Sequence, residues 1–352
     1  MPRRMAALGS SPWFSPAHSL RLCVQTPALV LFLACLGAAP DAHHATPRPD
    51  AHAPIGVMGD HMHDAGGWMV SYRYMVMEMD DNIDGTSRVT DGEVLRDFMV
   101  APMSMTAQMH MVGLMWAPIQ RVTLTSMLPI LVNEMDHVTR TGAKFTTHSW
   151  GVGDFKLGAL TRLWENESNH LHLNFGVSFP TGSITERDGT PAGNKRLPYP
   201  MQLGSGSYDL LPGLTYTGQS DSFSWGAQAT GALRTARNDK GYRLGDAYDL
   251  TAWGARPWLD WLSTSLRLDW RQWGNIHGAD DRLNPQQVPT ADPDRQAGRR
   301  LDIAVGMNFL VPRGVLAGNR FGVEASFPLY QYLDGPRLEQ DWTLVVGWQY
   351  AF

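Results

Sequence analysis

Fourteen of the chain's 18 methionines fall between Met58 and Met135, a local bias in need of a physical reason. Met75 and Met77 stand two residues apart, as do Met109 and Met111, so each pair shares one face of an extended strand. Alternation aims these four and Met127 to the side opposite Tyr72, Tyr74, Val112, Leu114 and Leu128. Thioethers are soft ligands suited to Cu(I) or Ag(I). Met75, Met77, Met109, Met111 and Met127 thus form a candidate soft-metal set, with His61 and His63 of His61-Met-His63 as nearby imidazoles. Cu(I) is the ion such a set would take, as ligand or transported substrate, and no cofactor is required. The competing reading, which the sequence favours, is that methionine supplies flexible apolar filling for a plug or a greasy path. Nothing has the closed Cys/His spacing of a structural zinc site.

A second set of residues carries charge. Read by parity, Arg73, Arg121, Asp154, Lys156, Arg162, His172, Arg234, Arg267, Asp269, Arg271 and Glu324 point away from the apolar face and would line a wet interior. Such mixed charge either orients a polar solute or pairs internally to stiffen the interior. Catalysis is not indicated. Gly204-Ser-Gly206 lacks the flanks of a hydrolase nucleophile elbow, and Gly151-Val-Gly-Asp154 opens a strand rather than a helix. The acidic stretches Ala279-Asp-Asp-Arg282 and Ala291-Asp-Pro-Asp294 read as solvated loop. The chain is net acidic, with no basic patch for nucleic acid.

Strands must position these residues. The chain ends Trp342-Thr-Leu-Val-Val-Gly-Trp-Gln-Tyr-Ala-Phe352, in which Trp342, Leu344, Val346, Trp348, Tyr350 and Phe352 form one apolar stripe. Asp341, Thr343, Gly347 and Gln349 take the other face. Lipid outside and water inside a transmembrane barrel produce this pattern, and a terminal aromatic suits a closing strand recognised by the barrel-assembly machinery. Eleven further alternating segments precede it: Trp68 to Met77, Ala107 to Trp116, Arg121 to Ile130, Val152 to Trp164, His170 to Phe179, Asp209 to Thr217, Ser222 to Arg234, Tyr248 to Arg256, Trp261 to Arg271, Leu301 to Val311 and Phe321 to Leu329. Their connections alternate short and long, the long ones being Met79 to Thr106, Thr181 to Tyr208 and Gln272 to Arg300. The expected fold is an all-β, antiparallel up-and-down transmembrane barrel of about twelve strands over 68–352, with outer-membrane lipid and a small-molecule solute as partners.

Residues 1–39 read as an export signal. Arg3, Arg4 and Arg21 precede the apolar stretch from Ala28 to Ala39, with cleavage expected near Ala39 or Ala42. Both cysteines, Cys23 and Cys35, fall within it; a lipoprotein signal acylated at Cys35 is the alternative. Residues 40–67 read as a polar periplasmic arm containing His43, His44, His52, His61 and His63. The bacterial outer membrane is the expected location.

Over residues 54 to 352 the chain resembles an outer-membrane transporter family labelled meta-pathway phenol degradation proteins. The resemblance rests on Ala53-Pro-Ile-Gly-Val-Met-Gly-Asp-His-Met-His63, Trp68-Met-Val-Ser-Tyr-Arg-Tyr-Met75, Pro180-Thr-Gly-Ser183, Tyr208-Asp-Leu-Leu-Pro-Gly-Leu214 and the terminal Gly347-Trp-Gln-Tyr-Ala-Phe352. It implies a β-barrel that passes small, often aromatic or apolar, solutes, and carries over no functional residues. The Met/His enrichment departs from a purely hydrocarbon picture and keeps two alternatives open: copper handling, and a structural or adhesive barrel.

Overall fold

The computed structural model describes residues 48–352; the expected signal and residues 40–47, with His43 and His44, lie outside the described residues. One sheet holds 13 strands, eleven of which close into an antiparallel barrel. In chain order these are β1 (Trp68–Gly85), β2 (Val100–Ile119), β3 (Val122–Thr139), β4 (Phe155–Glu165), β5 (Asn169–Phe179), β6 (Asp209–Gln219), β7 (Ser224–Arg234), β8 (Ala247–Leu259), β9 (Leu262–Trp273), β10 (Gly298–Leu310) and β11 (Asn319–Ala351). Each pairs with its sequence neighbours, and β11 returns to β1 through Met69↔Ala351 to Gly85↔Leu333.

The last strand is 33 residues long. Run straight, it would span roughly 110 Å, far beyond a hydrocarbon core of about 30 Å. It folds back instead. Residues 320–333 pair with β10 and residues 333–351 with β1, both antiparallel. Across the bend Gln331 Nε2 donates to the Gln340 carbonyl (2.7 Å) and the Gln340 amide to Gln331 Oε1 (3.0 Å). The wall is therefore crossed twelve times, which reconciles eleven assigned strands with an all-antiparallel closure that needs an even number.

Alternation places lipid-facing and lumenal residues as the sequence predicts. On β2, Val112, Leu114 and Trp116 are exposed on the outer wall while Met111 and Met115 are buried. On β9, Leu266 and Leu268 face out, whereas Ser263, Ser265 and Arg267 are buried within. Exposed aromatics rim both ends: Trp116, Trp164, Trp258 and Trp261 near the short turns, Trp150, Tyr208, Tyr248 and Trp342 near the long loops. The amphipathic rings suit the two lipid–water boundaries. Short turns and Trp68/Phe352 share one end, the periplasmic end by that asymmetry.

The boundaries differ from expectation on the other side. β1, β2 and β3 run seven to nine residues further than their alternation shows, and Lys144–Val152, expected within a loop, pairs with β3 through Val138↔Lys144 to Ile130↔Val152. Above the lipid both faces meet water, so Glu78, Asp80, Glu134 and Asp136 erase the pattern while the hydrogen-bond ladder continues. Lys144–Val152 and β4 form one interrupted stave. At the break, Asp154 accepts from the Gly182 amide (2.9 Å) and from the Ser205 amide and hydroxyl (2.8 and 2.9 Å), pinning the 180–208 loop to the wall.

The long loops cover the extracellular end. A short helix, α1 (Asp91–Asp97), opens on a capping box between Thr90 and Glu93. Tyr199 meets Tyr242 edge-on at 4.9 Å, and Arg196 pairs with Asp280 at 3.4 Å with both side chains almost wholly buried. Lipid exposure of the outer wall sets a test. Leu268→Arg is expected to lower the refolding free energy into bilayers by about 2–4 kcal/mol. Met77→Arg, on the lumenal face, is expected to cost less in the same titration.

Candidate functional site

The lumen is organised in three levels, and the lowest is filled by the chain's own N-terminal segment. Residues 48–67 do not form the free periplasmic arm expected from their polarity. They thread into the barrel. The segment has no helix or strand, so its carbonyls need donors, and side chains of the wall supply them. Arg73 Nε donates to the Ile55 carbonyl (3.1 Å), His172 Nε2 contacts the Gly59 carbonyl (3.0 Å), and Asn174 Nδ2 donates to the same oxygen (2.9 Å). Gln228 Nε2 donates to the Met58 carbonyl (2.9 Å), Ser224 Oγ to the Asp50 carbonyl (2.8 Å) and Arg320 Nη2 to the Arg48 carbonyl (2.8 Å).

Apolar contacts complete the seat. Ala53 and Val57 pack on Trp253, and Met62 packs on Met69, Met115 and Leu160. Ile55 sits over Gly322 and Gly347, where an added Cβ would come within 2.8 Å of its side chain. The signal for this was present in the sequence: Ala53-Pro-Ile-Gly-Val-Met58 is an apolar run between polar flanks. Its internal proline and glycine disqualify a strand but suit a close-packed irregular segment.

Asp60 closes the segment on itself. Its Oδ2 accepts from the Ala53 amide and its Oδ1 meets His61 Nδ1, each at 2.9 Å. Burial alone would raise the carboxyl, but the His61 charge and hydrogen bond hold it well below the usual carboxylate range. Burial drives His63 down to about 3 and His52 well below its ordinary value, so both rings are neutral at neutral pH. His52, Asp60 and His61 line a cavity of about 440 Å³ that reaches the periplasmic turns at Gln120, Glu165 and Gln219.

Charged side chains of the wall, most of them paired, begin beside the segment, where Gly56 lies against Arg267 and Glu324, and continue past it. Arg267 contacts Glu324 at 2.6 Å and Asp269 at 3.0 Å, Arg271 contacts Asp249 at 3.4 Å, Arg300 contacts Asp302 at 2.8 Å, and Arg234 pairs with Asp209. Lys156 differs. Its ammonium makes no ion pair or hydrogen bond among the described residues; Asp154, Asp209, Arg234 and Arg271 act on it only through space. In register it stands opposite Met127 on β3.

The methionines divide by level. Met69 faces Met115 across β1 and β2 and grips the N-terminal segment. Met75 faces Met109 and with Met77 forms a half-buried strip further along the strands than Met127, which alone of these stands opposite Lys156; Met111 is buried opposite Arg73. At the top, Met79, Met105 and Met135 line up across three strands and receive Leu197 and Met201 from the 180–208 loop, with Leu338. The lumenal parity expected for Met75, Met77, Met109, Met111 and Met127 is therefore the observed one.

One charged expectation needs revision. Arg121 lies in the periplasmic turn between β2 and β3, exposed at the rim rather than lining the lumen. Arg162 reaches the mouth, where it pairs with Glu165 at 2.6 Å. Arg73, Asp154, His172, Arg267 and Glu324 are inward, but each is engaged in holding the segment, the loop or a partner charge. On the closing strand Trp342 is exposed outward, Trp348 Nε1 donates to Asn319 Oδ1 (2.7 Å), and Tyr350 stacks on Phe352 at 5.7 Å. The sequence reading missed His52 and Asp60 as partners of His61.

A family model described as Putative MetA-pathway of phenol degradation matches residues 104–314, more than half of the chain. No curated protein matches the sequence. Among solved structures, an outer membrane channel from Pseudomonas putida F1 is similar with a TM-score of 0.58 and 14% identity, covering 84% of this chain and 99% of that one. A FadL homologue of Pseudomonas aeruginosa (TM-score 0.41, 11% identity, 82% and 90% covered) and the TodX monoaromatic hydrocarbon channel (0.45, 8%, 82% and 91%) match more distantly. The likeness to the first of these establishes the fold, that of an outer-membrane barrel.

The seat of Ile55 can be tested directly. Leucines in place of Gly322 and Gly347 are expected to fill the space under Ile55, so that proteinase K cleaves within residues 48–67 faster while the barrel keeps its heat-modifiable mobility. Unchanged cleavage would show that the segment is not held there.

Proposed function

The chain belongs to the family described as Putative MetA-pathway of phenol degradation, and from that premise we propose that it is a passive outer-membrane channel for small solutes joining an apolar, aromatic body to an anionic group. One observation carries the reading. Lys156, a lumenal ammonium that makes no ion pair or hydrogen bond among the described residues, stands in register with the thioether of Met127, and Met75 and Met109 face each other further along β1 and β2. Thioethers make favourable, adaptable contacts with aromatic rings. An uncompensated positive charge in a narrow, low-dielectric passage raises the local concentration of anions. Together they suit an aromatic carboxylate better than an inorganic ion or a sugar.

The surrounding pairs support the same reading. Arg267, Arg300 and Arg234 are neutralised by Glu324, Asp269, Asp302 and Asp209, so they frame the passage without competing with Lys156 for the solute. The N-terminal segment below and the 180–208 loop above limit what enters to small molecules. Transport is downhill, set by the solute gradient.

Proteoliposome flux separates this from a structural barrel. Benzoate is expected to pass faster than benzylammonium and faster than acetate. Lys156→Glu should lower the benzoate-to-benzylammonium ratio about tenfold, the factor that ~1.4 kcal/mol of altered interaction produces. Changing Met75, Met109 and Met127 to Gln should erase the preference of benzoate over acetate. No flux of any of the three, or a ratio indifferent to Lys156→Glu, would overturn the reading.

A further inference from the structure

The N-terminal segment places three imidazoles and a carboxylate in one buried group. His52 and His61 lie with ring centroids 3.8 Å apart, and His63 stands edge-on to His61 at 4.9 Å. One ligand atom from each of His52, Asp60 and His61 falls within 4.8 Å of the others. Three ring nitrogens, His52 Nδ1, His61 Nε2 and His63 Nε2, are buried with no hydrogen-bond partner. Each such orphan costs roughly 1–3 kcal/mol in a folded protein, so three in contact call for a shared ligand.

We infer that this group is a binding site for a divalent cation of the Zn²⁺ class, held between His52, Asp60 and His61 with His63 in reach, and that the ion latches the lumenal segment. Two imidazoles and a carboxylate are the borderline donors such ions favour, unlike the thioethers of the wall above, which suit Cu(I). Asp60 already lies within hydrogen-bond reach of His61 Nδ1, so carboxylate and imidazole are gathered at one place by the fold itself. The neighbouring cavity, bordered by Glu165 and Gln120 of the periplasmic turns, gives the ion a route in from that side.

Position gives the ion its consequence. His52 and the pair Asp60 and His61 sit at the two ends of the stretch that carries Ile55, Val57 and Gly59 into the wall. One ion across those ends closes the stretch into a loop and removes much of the freedom it would gain on leaving. The site is independent of which solute the channel passes.

The test uses the refolded chain carrying its N-terminal segment, titrated with ZnCl₂ by calorimetry and with CoCl₂ by visible absorption. One Zn²⁺ per barrel, a tetrahedral Co²⁺ spectrum and Zn²⁺-dependent slowing of proteinase K within residues 48–67 are expected. His52→Ala and His61→Ala should each abolish binding, Asp60→Asn should weaken it about 10–100-fold, and a His43→Ala/His44→Ala double variant should leave it unchanged. The wild-type spectrum and protection need no variant, so displacement of the segment by substitution cannot mimic success. Absence of Zn²⁺ binding, absence of protection, or binding that survives both single histidine changes overturns the inference.

Discussion

The structure depends on satisfying the backbone of an irregular segment at membrane depth. A strand in a closed barrel pairs with its neighbours, but residues 48–67 have no ladder, and an unpaired carbonyl in a dry interior costs free energy comparable to a lost hydrogen bond. Four strands contribute side chains to meet that need: Arg73 from β1, His172 and Asn174 from β5, Ser224 and Gln228 from β7, and Arg320 from β11, with Trp253 of β8 adding apolar contact. Much of the lower lumen's polarity therefore belongs to the segment rather than to a solute. The lumenal charge that looks available in the sequence is largely committed.

The same accounting explains the middle level. Buried ions are tolerated when paired and hydrogen-bonded, and removing one partner of such a pair typically costs about 3–5 kcal/mol. Arg267 satisfies this with two carboxylates, Glu324 and Asp269, and a further hydrogen bond to Thr251 Oγ1 at 3.4 Å. Against that background the isolation of Lys156 is informative. Its ammonium makes no ion pair or hydrogen bond among the described residues, while the arginines around it are matched by carboxylates.

How much of this was legible in the sequence follows from where one physical contrast persists. Between lipid and lumen the two faces of a strand see opposite environments, so Val112, Met111, Leu266 and Arg267 declare their sides by residue type alone. Beyond the bilayer that contrast disappears, and the upper parts of β1, β2 and β3, with Lys144–Val152, were illegible although their ladders are intact. For the N-terminal segment the apolar run 53–58 was visible but its seat in the wall was not, for a different reason. Its partners, such as Gln228 with Met58, are about 170 positions away, and no local period encodes such a contact. His61 and His63 were visible as a pair, whereas Asp60 and His52 gain meaning only when the Ala53 amide reaches Asp60 Oδ2 and folds the stretch back.

The methionine bias then has an explanation that a metal reading of the whole set lacks. A wall that must accept two irregular inserts, one from the N-terminus and one from the 180–208 loop, cannot present a regular complementary surface. Methionine, unbranched and with three rotatable bonds, fits irregular partners better than a β-branched residue would. Met69 and Met115 meet Met62 below; Met79, Met105 and Met135 meet Leu197 and Met201 above. Met75, Met77, Met109 and Met127 are half-buried and belong to neither packed cluster among the described residues, Met127 standing opposite Lys156. Packing at both ends and an uncovered thioether strip between them follow from one property of the side chain, which places the question of what the channel passes on that strip.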